Sequence, residues 1–170
     1  MIRVIGAILV LAASTSIGFV LAARYRERPR AIRQWRLALQ SMETEILYGL
    51  IPVESLAAHL SQRLPQPIAH FFSYLKKGLE DGQSLQTAWR TATLDYWPET
   101  AMKASEREII LQFGTTLGTE DAVNQKKHIQ LAISHLDAEE TEARQEQATY
   151  EKMWRSLGFL AGLLIVLIML

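Results

Sequence analysis

Four histidines and one run of acids are the residues here with types that could do chemistry. The histidines are His59, His70, His128 and His135. His128 and His135 stand seven residues apart in a helical stretch. That is two turns, about 10 Å, too far to share a metal ion directly. His135 and Glu139 are spaced i, i+4, which is half a metal site, but the same spacing serves an ordinary surface pair. Asp137, Glu139 and Glu140 cluster, yet nothing apolar around them would raise a carboxyl pKa toward that of a general acid. No Walker phosphate loop, dinucleotide fingerprint, HExxH or GxSxG occurs. There is no cysteine, hence no disulfide framework and no thiolate metal site. The sequence assigns no catalytic residue, no cofactor or metal ligand, and no enzyme activity.

The elements that position these residues are set by two apolar ends. The first runs from Ile2 to about Ala23, with Arg3 before it and Arg24 after it. About 20 apolar residues at 1.5 Å each match a hydrocarbon core of about 30 Å. The rival is a cleaved signal peptide with Val20-Leu21-Ala22 at its cleavage site. Against that rival, the apolar run is long and an arginine cluster follows at once. The second end, Leu157 to Leu170, covers only about 21 Å as helix, short of a full span. Trp154 suits an interface, and Lys152 and Arg155 can snorkel toward headgroups. The alternative for this end is a buried core helix. The expected organisation is a transmembrane helix over 1–23, a helical domain over 24–155 and a second transmembrane helix over 156–170.

Orientation follows from the flanks. Arg24, Arg26, Arg28, Arg30, Arg33 and Arg36 crowd the inner side of the first helix, opposed only by Glu27. The positive-inside rule puts that side in the cytoplasm, with both termini outward. A nucleic-acid patch is the weaker reading of the same arginines beside a membrane segment. The 18 basic and 18 acidic residues balance, so bulk charge points to no polyanionic partner. Both apolar helices carry small residues at four-residue spacing: Ser14, Gly18 and Ala22 in one, Gly158 and Gly162 in the other. Such stripes let helix backbones approach closely in lipid, so the two helices pack on each other or on partners.

Between the ends, amphipathic periodicity and breakers mark out a bundle. Pro29 fits the first turn of a new helix, whose apolar face is Ile32, Trp35, Leu39, Met42 and Ile46 and whose stop is Gly49. Pro52 starts a helix with Val53, Leu56, Leu60 and Leu64, ended by Pro65 and Pro67. A third carries Ile68, Phe71, Phe72, Leu75 and Leu79 and stops at Asp81-Gly82. Ser84 caps a fourth, which breaks at Trp97-Pro98. Ser105-Glu106-Arg107-Glu108 has capping-box spacing for a short helix that Gly114 closes. Leu117-Gly118 makes a turn. Thr119 can cap the last helix, with Glu120 and Asp121 at its positive end. Ala122, Gln125, Ile129, Ala132 and Leu136 keep a seven-residue rhythm, which Glu139 and Glu146 interrupt and Ala143, Tyr150, Met153 and Leu157 resume. The polar middle, Glu139 to Glu151, reads as a solvated face or a contact surface. No strand signal appears. The fold class is all-α: a helical bundle flanked by an N-terminal and a C-terminal transmembrane helix.

Several stretches stand out when taken in order: Met1-Ile2-Arg3-Val4-Ile5-Gly6-Ala7, Ala13-Ser14-Thr15-Ser16-Ile17-Gly18, Arg30-Ala31-Ile32-Arg33 and Met42-Glu43-Thr44-Glu45-Ile46-Leu47-Tyr48-Gly49. Phe113-Gly114-Thr115-Thr116-Leu117-Gly118 and Met153-Trp154-Arg155-Ser156-Leu157-Gly158 follow. Together they resemble the stage III sporulation protein AB family. No single piece is diagnostic; the ordered set covers essentially the whole chain. The resemblance implies a mother-cell membrane protein of endospore formers, in an apparatus that links to the forespore and is needed after engulfment. It implies a soluble domain similar to the cytoplasmic helical domains of type II secretion F-type platforms. It implies as partners a secretion-type ATPase, similar to stage III sporulation protein AA, other stage III sporulation membrane proteins, and membrane lipid. Having one such domain where those platforms have two, this chain raises a homo-oligomer as the way to form a platform. The mechanism expected is mechanical coupling of a cytosolic ATPase to the membrane complex. The competing class is a passive membrane-anchored scaffold that recruits other channel proteins. No catalytic motif, cofactor or nucleic-acid partner comes with the family.

Overall fold

The computed structural model describes residues 2–49, 52–119 and 121–169. The expected placements of Glu120 at a helix start and Leu170 at a helix end lie outside them, as does the side chain of Ala122. Six α-helices follow one another: α1 (Ile2–Gly49), α2 (Val53–Arg63), α3 (Ile68–Glu80), α4 (Leu85–Tyr96), α5 (Ala104–Thr116) and α6 (Ala122–Met169), with a 3₁₀ turn at Trp97–Glu99. No strand occurs among the described residues. The chain divides into two compact units: residues 28–141, and residues 1–27 together with 142–170.

The core of unit 28–141 is aromatic. Trp35 is fully buried. Phe71 meets it edge-on at 4.7 Å, Tyr96 at 6.0 Å and Trp89 at 6.2 Å between ring centroids. Edge-to-face pairs set the positive ring edge against the negative face, adding to the burial of apolar area. α1, α3 and α4 reach this cluster because each repeats apolar residues at three and four positions. Ile32, Leu39 and Met42 lie on the Trp35 face of α1, all fully buried. Several ends follow local rules. The Ser84 hydroxyl accepts the Thr87 N–H at 3.3 Å, the N-cap bond of α4. After Asp81, Gly82 takes φ +81°, which ends α3 without the steric cost that a Cβ would add.

Four local expectations are corrected. Pro29 does not begin a helix; it lies inside α1. A proline there removes one helix bond and crowds the preceding turn, at about 3 kcal/mol. The adjoining burial of Ala31, Ile32 and Trp35 offsets that, because tertiary packing outweighs a local break. The residue at the cap of α5 is Lys103, not Ser105. Glu106 still reaches back as a capping-box acid does, accepting the Lys103 N–H at 2.6 Å. Gly114 does not close α5, which continues to Thr116; the glycine is there for side-chain room. Asp121, not Thr119, caps α6, its Oδ1 accepting the Asn124 N–H at 3.3 Å.

On the surface of this unit, Glu99 in the 3₁₀ turn accepts from Tyr74 Oη at 2.7 Å and lies 2.7 Å from His70 Nδ1. The Tyr74 bond first, and the His70 bond second, hold the Glu99 carboxyl below the usual carboxylate range. A carboxyl depressed in the folded state contributes stability that is present above its unfolded value and lost as pH falls through the folded one. Denaturant midpoints of the detergent-solubilised chain should therefore fall below about pH 4.5, the ordinary value. In Glu99→Gln that acid limb should flatten. At neutral pH the variant should lose less than about 1 kcal/mol, since the group is partly solvated.

Candidate functional site

The histidines do not gather. Among the described residues no group of three potential metal ligands exists. His59 lies 3.8 Å from Glu45 and His70 beside Glu99. His128 and His135 border a shallow groove with Ile109, Phe113 and Leu131. Glu139, four residues after His135, is engaged elsewhere. Its Oε2 accepts from Arg28 Nη2 at 3.0 Å and from Ser105 Oγ at 3.1 Å.

The arginines and the acids, read separately in the sequence, meet. Arg28 Nε donates to Glu106 Oε1 at 2.7 Å, and both side chains are almost wholly shielded from solvent. Glu106 keeps its second oxygen on the Lys103 N–H, so neither partner is left with an open charge. Arg36 Nη1 contacts Glu140 Oε2 at 2.6 Å and Asp137 Oδ1 at 2.8 Å. Arg33 Nη2 adds Glu140 Oε1 at 3.1 Å. Asp137 and Glu140 are three apart on α6, and Arg33 and Arg36 three apart on α1. Each pair therefore shares a helix face, and the charges match across antiparallel helices. This cluster joins α1, α5 and α6 within unit 28–141. Its chemistry is structural: guanidinium forks on carboxylates fix orientation and register.

The stretch Glu139 to Glu151, read as a solvated or contact surface, is accordingly mixed. Glu140 and Ala143 are buried, whereas Arg144, Gln145, Ala148 and Thr149 are exposed. The heptad rhythm holds to Ala143; Tyr150, Met153 and Leu157 are exposed. A cue for the arginine–carboxylate match was present in the sequence, namely the equal three-residue spacing on two predicted helices. Nothing local could say that those faces met, since Arg28 and Glu139 are 111 residues apart.

The other unit is a pair of antiparallel helix ends. Tyr25 meets Tyr150 at 5.4 Å between rings, and the Arg155 guanidinium sits 5.4 Å over the Phe19 ring. Farther along, a Cβ on Gly18 would stand 2.8 Å from the Trp154 carbonyl and 3.0 Å from the Gly158 Cα. A Cβ on Gly162 would meet Ser14 Oγ, with the Leu11 Cα at 3.3 Å. The small-residue stripes thus face each other, and the helices pack on one another as GxxxG spacing permits. Ile8, Leu9, Ile17 and Val20 of α1, and Leu160, Leu164, Leu167 and Ile168 of α6, point outward and are exposed. Within α1 lies a stretch long and apolar enough to cross a membrane. The apolar part of α6, residues 157–169, rises only about 20 Å.

The sequence profile of the stage III sporulation protein AB family matches residues 3–170. Stage III sporulation protein AB of Bacillus subtilis (strain 168) is 45% identical over 171 residues, covering 100% of both chains. A solved structure of a stage III sporulation protein AB matches with a TM-score of 0.69 and 44% identity, over 72% of this chain and 98% of that one. Neither name carries a catalytic activity.

Proposed function

The chain belongs to the stage III sporulation protein AB family, and from that premise we propose that it is a membrane platform component of the mother cell–forespore transport apparatus of endospore formation. In this reading residues 1–23 and 156–170 form a transmembrane hairpin with both termini outward. Residues 24–155 form a cytosolic bundle that couples a secretion-type ATPase, similar to stage III sporulation protein AA, to the membrane complex.

One observation carries it, the antiparallel register of the helix ends. Tyr25 with Tyr150, Gly18 with Gly158 and Ser14 with Gly162 fix that register. Extended by helix geometry, it brings Met169 level with Gly6. An α6 end too short by itself therefore keeps pace with α1 almost to the start of the chain, and a modest thinning of the bilayer accommodates the rest. The exposed apolar side chains on both helices suit lipid. Trp154, Lys152 and Arg155 stand where an interface is expected. Arg24, Arg26 and Arg30 are exposed on the inner flank, and the positive-inside rule counts arginines whether or not they are paired. Arg28 and Glu106 make the end of the bundle rigid, which suits a part that carries load.

Topology is the test. The chain has no cysteine, so single cysteines are unambiguous reporters. Gln83→Cys should react with a membrane-impermeant thiol reagent only after lysis, while a cysteine added after Leu170 should react in intact cells. Labelling of Gln83→Cys in intact cells removes the domain from the ATPase and overturns the platform reading in favour of an exported scaffold.

A further inference from the structure

Unit 28–141 has an open groove of about 910 Å³ between α4 and α5 that the role above does not use. Two charged residues line it, Arg90 on α4 and Glu108 on α5. Both are exposed. Among the described residues neither makes an ion pair or a hydrogen bond, with the other or with any third group. One free cation and one free carboxylate thus share a groove without meeting.

The register of the two helices shows what satisfies both. α4 and α5 run antiparallel: Gln86 Nε2 donates to the Leu117 carbonyl, and Trp89 Nε1, farther along α4, donates to the Ile110 carbonyl, earlier in α5. Arg90 therefore stands near the level of Leu111, and Glu108 lies about one turn farther toward the end of α4. That is the level of Leu94, which is one turn after Arg90 and 46% exposed. Leu111 is half-buried and lines the groove. The four residues form a rectangle, with the two charges on one diagonal and the two leucines on the other. A two-fold axis through its centre exchanges Arg90 with Glu108 and Leu94 with Leu111. A second copy placed by that axis sets each arginine on a glutamate and each Leu94 on a Leu111, the self-complementarity that a two-fold interface requires. Thr87, Thr91 and Thr115 on the same walls are exposed. A hydroxyl both donates and accepts, so these too can meet their own kind.

We infer that the α4/α5 groove is a two-fold interface between copies of this chain, held by Arg90–Glu108 pairs around a Leu94–Leu111 centre. The inference rests on unit 28–141 alone and is independent of the membrane and ATPase readings.

The full chain in neutral, density-matched detergent would be examined by sedimentation equilibrium. It should dimerise across the micromolar range. Arg90→Glu and Glu108→Arg each set like charges at both symmetric contacts, so each should weaken dimerisation by more than about ten-fold. The decisive sample mixes these two variants. One copy then carries two acids in the groove and the other two bases, every contact between unlike copies is again opposite in sign, and dimers should return at the original strength. The double variant Arg90→Glu with Glu108→Arg should dimerise by itself. Unchanged tryptophan fluorescence shows that each variant is folded. A monomeric unmodified chain throughout the range leaves the groove to another occupant and overturns the proposal. Dimers that survive both single reversals run through a different surface and overturn it equally. Dissociation by the reversals without recovery in the mixture, or assemblies larger than two, removes the two-fold arrangement.

Discussion

Replacing Glu106 by alanine should cost about 3–5 kcal/mol of folding stability, a large part of what a bundle of this size possesses. The reason is the state of the partner left behind. The Arg28 guanidinium is 4% exposed and points its Nε at Glu106. Without that carboxylate it loses its contact at 2.7 Å, while Glu139 is already shared with Ser105. The Lys103 N–H at the start of α5 loses its acceptor as well. A buried charge that has lost its buried counter-charge is far costlier than the pair was beneficial, because desolvation is already complete. The paired change Arg28→Met with Glu106→Leu should therefore recover most of the loss, since apolar groups of similar volume need no partner. Arg33→Ala should cost no more than about 1 kcal/mol, because that side chain is half-exposed. Urea unfolding of the detergent-solubilised chain, followed by tryptophan fluorescence, measures all three. A cost below about 1 kcal/mol for Glu106→Ala would mean that water reaches the pair, and the cluster would then be no more than surface decoration.

That cluster also marks the limit of what the sequence could disclose. Helix existence was legible throughout because it depends on spacing within a few residues. The Trp35 face, the Ser84 cap, the Asp81-Gly82 stop and the small-residue stripes are all local patterns, and the structure uses them. What failed were local signals overridden by distant contacts. Pro29 is a sound reason to start a helix, yet the packing of Ile32 and Trp35 holds α1 together across it. The positive-inside rule counts arginines whether or not they are paired, so their charge could not show that Arg28, Arg33 and Arg36 are occupied by acids about a hundred residues on. The same acids looked solvated because the residues next to them are polar. Their true surroundings come from α1 and α5.

Gly114 is the sharpest case, and Gly114→Ala should destabilise the protein by about 2–4 kcal/mol. On grounds of helix propensity alone the substitution should help. Alanine is favoured over glycine by about 1 kcal/mol inside a helix, and Gly114 lies inside α5. Space decides otherwise. A Cβ at Gly114 would fall 2.6 Å from Trp89 Nε1 and 2.7 Å from Cγ, and closer still to Cδ1. The ring is held by its other contacts. It is fully buried, packed at 4.8 Å against Phe71 and 5.4 Å against Phe113. Its Nε1 donates to the Ile110 carbonyl at 2.9 Å, a bond anchored one turn before Gly114 on the same helix. Moving the ring costs about 1–3 kcal/mol of overpacking, and losing a buried hydrogen bond adds about 1–3 kcal/mol more. Together these exceed the helix-propensity gain. The explanation has a signature that propensity or solvent exposure would not produce. In a Trp89→Leu background the clash disappears, so Gly114→Ala should become neutral or stabilising there, and the two changes should couple by more than about 1 kcal/mol. Additive costs would show that the glycine acts through the backbone of α5, and the tight seat of Trp89 against α5 would have to be abandoned as the reason for its presence.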